Sequence, residues 1–173
     1  EAQLDEMITG GASVGKIEGS PLGTLVAHHV VLNGPDGKPA ITIRRLQLEL
    51  AILPLISSHA TISGLVADGV EVDLRRDDNG ELQIAHLLKP GPESQWSVHI
   101  PDVTVRDARV TFDSGDEIMH FDDVGLTGGI KMPHGGPLFA SLHLRASWRE
   151  RDAAPLELDV AVQRDAERLY VPT

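Results

Sequence analysis

The sequence predicts a mostly β fold: a curved, largely antiparallel sheet with a short N-terminal helix and one further short helix before a Pro/Gly linker. Three observations predict it. Apolar and polar residues alternate with period two over most of the chain, turn-forming clusters punctuate the alternating runs, and the apolar phase slips by one residue at recurring places.

At the start, Leu4, Met7 and Ile8 stand at helical spacing, and Gly10-Gly11 would end a helix over residues 1–10. The alternating runs follow: "AITIRRLQLEL" from Ala40 to Leu50, "VEVDL" from Val70 to Leu74, "LFASLHLRASW" from Leu138 to Trp148, and "LELDVAV" from Leu156 to Val162. Between them lie "NGPDGKP" (33–39), "DDNG" (77–80), "DSGD" (113–116) and "PHGGP" (133–137), so hairpins in sequence order are expected. "AILPLIS" (51–57) reads as a connector because of its central Pro54. "ELQIAHLL" places Ile84, Leu87 and Leu88 at helical spacing and stops before Pro90-Gly91-Pro92. The expected organisation is one unit over 1–173: the helix 1–10, a first repeat-like half 11–88, a linker 89–95 and a second half 96–173.

The phase slip recurs as Ile62, Leu65, Ala67, as Ile43, Leu46, Leu48, as Ile100, Val103, Val105, and as Phe121, Val124, Leu126. A step of three inverts the facing of a strand unless one residue bulges out. Val70, Val72 and Leu74 also match Ala108, Val110 and Phe112 at the offset that relates Ile62 to Ile100. A bulge bends its strand, so bulges in successive strands would curl the sheet around a concave apolar face.

Composition limits what such a face serves. The chain has 173 residues, enough for one domain, and is 41% hydrophobic with only 3% aromatic residues, so its apolar interior is aliphatic. A net charge of −11 opposes nucleic-acid binding. Without cysteine there are no disulfides, thiolate nucleophiles or cysteine zinc sites. No run of 18 apolar residues and no signal-peptide pattern occurs, although a chain beginning at Glu1 leaves room for a segment before it.

The order strand, "GPDGKP" turn, strand, "LPLI", "ISGLVADGVEVDLRRDDNGELQIAHLL", linker and "WSVHIPDVTVRDARVTFD" resembles the N-terminal region of the AsmA/TamB group of bacterial envelope proteins, relatives of chorein-type bridge-like lipid transfer proteins. The likeness covers roughly Val14 to Leu126 and is most specific over Asp68–Leu88, although Glu81, Leu82 and Gln83 stand where members often carry Trp and Asn. The resemblance implies a β-taco-like sheet with a hydrophobic groove, built of repeats, lying in the periplasm and anchored in the inner membrane by a helix preceding Glu1. It further implies a non-enzymatic role in phospholipid transport or outer-membrane biogenesis. The partners would be phospholipid, further groove segments of the same protein and outer-membrane assembly proteins.

On that reading the groove face takes Ile43, Leu46, Leu48 and Leu50 from one strand and Ile62, Leu65, Val70, Val72 and Leu74 from the next. Ile100, Val103, Val105, Val110 and Phe112 follow, then Val124 and Leu126, and then Leu142 and Leu144. Burying acyl chains there needs no specific contacts, since each CH₂ leaving water contributes about 0.8 kcal/mol. The same alternation would also fit a closed sandwich or barrel whose core is filled. A different class of function, a scaffold pairing its sheet edges with a partner, fits the strands equally.

The basic pairs Arg44-Arg45 and Arg75-Arg76 are candidates for lipid headgroup contact, or for protecting a sheet from edge pairing. The eight histidines show no metal-ligand spacing, and of the acidic pairs Asp77-Asp78 and Asp122-Asp123, conceivable as acid/base dyads, the first reads as turn chemistry in "DDNG". No serine stands in a nucleophile elbow, and "GGASVG" lacks the ending of a phosphate-binding loop. No catalytic residue, metal or cofactor is expected.

Overall fold

A computed structural model describes residues 9–20, 23–51, 60–76, 80, 82–87, 98–132, 138–151, 154–165 and 168–170. These form one open sheet of eight long strands and a short ninth: β1 (Ala12–Gly19), β2 (Thr24–Asn33), β3 (Pro39–Ala51), β4 (Ala60–Arg75), β5 (Val98–Asp113), β6 (Ile118–Met132), β7 (Leu138–Trp148), β8 (Ala154–Asp165) and β9 (Arg168–Tyr170). Spatial order follows chain order, and β1 does not pair with β9. The expected N-terminal helix lies outside the described residues except for a turn at Thr9-Gly10. In the second expected helix the described part is a single 3₁₀ turn, Gln83–His86, with Leu88 outside.

Turn chemistry explains the two hairpins whose turns are described. Between β2 and β3, Gly37 takes φ 72°, its N–H donates to the Gly34 carbonyl at 2.9 Å, and the Lys38 N–H donates to Asp36 Oδ1 at 3.1 Å. Between β5 and β6, Gly115 at φ 90° donates to Asp113 Oδ1 at 2.8 Å, and Ser114 exchanges bonds with Glu117.

Hairpins do not account for the whole sheet. All neighbours are antiparallel except β4 and β5, which are parallel. A parallel pair needs a long crossover, and residues 76–97, which include the 3₁₀ turn, supply it. Every β4–β5 pair, from Ala60 with Val98 to Arg75 with Asp113, is displaced by the same 38 residues. The repeat offset in the sequence is thus the register of this ladder. Two parallel neighbours that carry bulges at the same steps keep their hydrogen bonds level, and two without that match would lose register.

Three of the four phase slips fall on irregular steps of the ladder. Ladder register shifts where Ile62–Leu65 runs beside Glu49 and Leu50, between Ile100 and Val103, and where Phe121–Val124 faces Ala108 and Val110. Ile43–Leu46 keeps register because its neighbours take the same extra residue: the paired positions skip His29, Arg44 and Gly69 together. His29 (φ 52°) and Gly69 (63°), with Asp107 (51°) at a further register shift between Val105 and Ala108 and Asp123 (51°) in the Phe121–Val124 step, sit in the left-handed region and form one line across β2, β4, β5 and β6. Glycine adopts that conformation freely, and Asp and His are among the side chains most often found there.

The buried residues gather along the same line. One cluster comprises Ala67 and Val70 on β4, Ala108 on β5, Val124 on β6 and Ala146 on β7. Partly buried residues pack against it from both sides along the strands, among them Ile41, Ile43, Val72 and Phe121 on one side and Leu46, Leu65, Val105 and Leu144 on the other. Among the described residues, extensive contacts join only sheet neighbours and the two 3₁₀ turns, so no second layer covers this face, and no side chain is fully buried. The one addition is Leu87, from the crossover, which packs with Ala40 against Ala12, Leu32 and Ile41 at a corner.

Candidate functional site

Backbone register sorts the apolar residues into rows that run across the strands. Along the line of bulges, Ile43 pairs with Val70, Ala108 with Val124, and Ala146 with Leu156, with Val30 and Val14 continuing into β2 and β1. One step along the strands, Leu46, Ala67, Val105, Leu126, Leu144 and Leu158 are successive partners. The next row holds Leu48, Leu65, Val103, Gly128, Leu142 and Val160. Beyond it Leu50 pairs with Ile62, level with Ile100 and Ile130. On the other side of the bulges, Val72 pairs with Val110 and Val110 with Phe121, and a last row joins Leu74, Phe112 and Met119.

All eighteen residues expected on the apolar face therefore stand in these rows. Sequence reading left out the small residues at the centre, Ala67, Ala108 and Ala146, and the β1 and β2 members Val14, Ile17, Leu25, Ala27 and Val30. Among the described residues the rows run out to β1 and β8 without a polar border: Ile17 on β1 is 60% exposed and Leu158 on β8 is 50% exposed.

The opposite face is charged and internally neutralised. Arg45 Nη1 lies 3.3 Å from Asp68 Oδ2 across β3–β4 and its Nη2 donates to Gln47 at 2.7 Å. Arg44 crosses above Gly69, filling the space where a Cβ would stand, and comes within 3.8 Å of Asp107 on β5. Arg75 lies 3.3 Å from both Asp36 and Asp73 and donates to the Pro39 carbonyl at 3.1 Å. Three of the four arginines proposed for headgroups are therefore held by carboxylates on this charged face. The fourth, Arg76, places its guanidinium carbon 5.6 Å from the Phe112 ring centroid and donates to the Gly80 carbonyl at 2.6 Å.

At the end of β7 the 3₁₀ turn Arg149–Arg151 folds back on β6. Arg149 grips Asp122 with two bonds of 2.6 Å, which holds the Asp122 carboxyl below its usual range. Glu150 accepts the His120 backbone N–H at 3.0 Å and lies 2.6 Å from His120 Nδ1. β7 provides no partner beyond Trp148, so this carboxylate stands in for the next ladder acceptor. The bond from the His120 backbone, then that from its ring, pull Glu150 down from near 4.5 to about 2. A depressed folded-state value means a contribution present above pH 4.5 and lost as pH falls toward 2. Acid titration of thermal unfolding should show wild type losing stability through that window, with Glu150→Gln less stable at pH 7 and flatter below pH 4.5. An unchanged acid profile would remove Glu150 from this role.

Among the described residues no three His, Asp or Glu side chains gather as a metal site, and no helix is long and apolar enough to cross a membrane. No family model, curated protein or solved structure matches the chain.

Proposed function

We propose that the apolar face is a hydrophobic groove that shields phospholipid acyl chains, in a non-enzymatic, AsmA/TamB-like segment of a bacterial envelope protein serving lipid transport or outer-membrane biogenesis. The observation that carries this reading is the set of apolar rows crossing eight strands on a face over which the described residues place no second layer. The line of bulges forms the groove floor, where Ala67, Ala108 and Ala146 leave room, and the rows on either side form its walls.

Dimensions suit the ligand. Eight strands at about 4.8 Å make the rows that cross all of them roughly 34 Å long. That is close to the ~30 Å hydrocarbon thickness of a bilayer, or two acyl chains end to end. Tails on an aliphatic lining contribute about 0.8 kcal/mol per CH₂ without fixed partners, which permits sliding. The exposed ends of the rows at Ile17 and Leu158 are where further groove segments would join.

A scaffold that recruits a partner strand is the second reading, favoured by the outer edge of β8, which β9 covers only from Gln163 to Asp165. Native mass spectrometry with lipid extraction, on protein purified gently from bacterial cells, separates the two. Co-purifying phospholipid in wild type that is lost in a folded Leu48→Asp variant is the expected result. Folded wild type that carries no lipid and acquires none from vesicles would overturn the groove in favour of the scaffold.

A further inference from the structure

We propose that Arg76 is the headgroup contact of this groove, donating to the phosphate of a diacyl phospholipid whose tail begins over Leu74, Phe112 and Met119. The inference rests on the groove reading and adds to it a single polar anchor.

Of the four arginines in the two basic pairs, Arg76 alone combines three properties. Directly after the end of β4 it continues the phase of Val72 and Leu74, its backbone bridges to Leu82, and its guanidinium lies over Phe112 of the last apolar row, so it stands at the lip of the apolar face. Its guanidinium is positioned, by the Phe112 ring beneath it and by the Gly80 carbonyl that takes one Nη1 hydrogen. It has no carboxylate partner among the described residues, whereas Arg44, Arg45 and Arg75 each have one. A guanidinium stacked on a ring loses little freedom when it binds, and its remaining N–H groups match the oxygens of a phosphate.

Position decides which phosphate. The Leu74–Phe112–Met119 row directly inside Arg76 is only partly buried. A free phosphate would gain nothing from that shelf, whereas a phospholipid places tail on shelf and phosphate on guanidinium together. In a chain of net charge −11 the surrounding field disfavours anions, so the local pairing has to carry the selectivity.

The test titrates the delipidated full chain with fluorescent-acyl phosphatidic acid, with the diacylglycerol of the same chains, and with inorganic phosphate as competitor. Arg76→Gln should weaken phosphatidic acid about tenfold, as loss of one charge-assisted hydrogen bond predicts. Diacylglycerol binding should be unchanged, and Arg76→Lys should recover part of the loss. Unchanged phosphatidic acid affinity in Arg76→Gln overturns the proposal. So does an equal loss for both lipids, which would make Arg76 a support of the lip. Inorganic phosphate binding as tightly as the lipid would overturn the phospholipid assignment. Wild type that binds neither lipid removes the groove and this anchor with it, whereas diacylglycerol binding that survives loss of the anchor leaves the groove standing.

Discussion

Gly128→Ala is expected to lower the unfolding free energy by about 2–4 kcal/mol, a large share of the 5–15 kcal/mol that holds a typical domain. Gly128 sits in β6 between Val103 and Leu142, in the third apolar row. A Cβ built there would collide with the Ser141 carbonyl oxygen and come within 2.9 Å of Leu142 Cα. Both obstacles are backbone of the neighbouring strand, so relief requires β6 and β7 to separate. Gly37→Ala is the control, because its Cβ would meet nothing and only its φ of 72° is unfavourable. That conformation costs roughly 1–2 kcal/mol. Urea unfolding of the two variants checks the contrast, and a loss for Gly128→Ala no greater than for Gly37→Ala would mean the strands are not so closely apposed.

Leu144→Asp distinguishes an open face from a filled core. Leu144 lies midway along β7, between Leu126 on β6 and Leu158 on β8, and is only partly buried. On an open face the substitution forfeits part of one side chain's burial, about 1–2 kcal/mol, and its carboxylate remains hydrated. Inside a closed core an unpaired carboxylate costs enough to unfold a domain of ordinary stability. The expected variant is therefore folded by circular dichroism, cooperative in urea, and at least tenfold weaker for acyl chains. An unfolded Leu144→Asp protein would mean that this face is covered, and the groove reading would fail.

How openly the sequence displays its bulges differs from strand to strand. Phase slips in β3 to β6 were readable because the residues between the apolar ones are polar, as in "IRRL" and "FDDV". The corresponding steps in β1 and β2, Val14 to Ile17 and Ala27 to Val30, were hidden. In β2, Val26 and Val31 put apolar side chains on the other face as well, and the contrast that marks a phase disappears. The offset between the two slipped segments was visible, but its meaning was not. A Pro/Gly linker reads equally as a hairpin loop or as part of a crossover, and only pairing shows that equal bulge positions serve a parallel ladder. The facing of Arg75 and Arg76 was likewise undecided, since a pair of adjacent arginines satisfies either phase.

The rows lie across the strands, and this separates two dimensions that most folds tie together. Strand length sets the width of the apolar strip, and strand number sets its reach. One added hairpin would lengthen the strip by about 10 Å and leave its cross-section unchanged. A further strand whose bulges fall at matching steps would continue the ladder without a change of register, as β5 continues it from β4. A chain built this way can be made to span a given gap by counting strands, much as a ladder is cut to height by counting rungs.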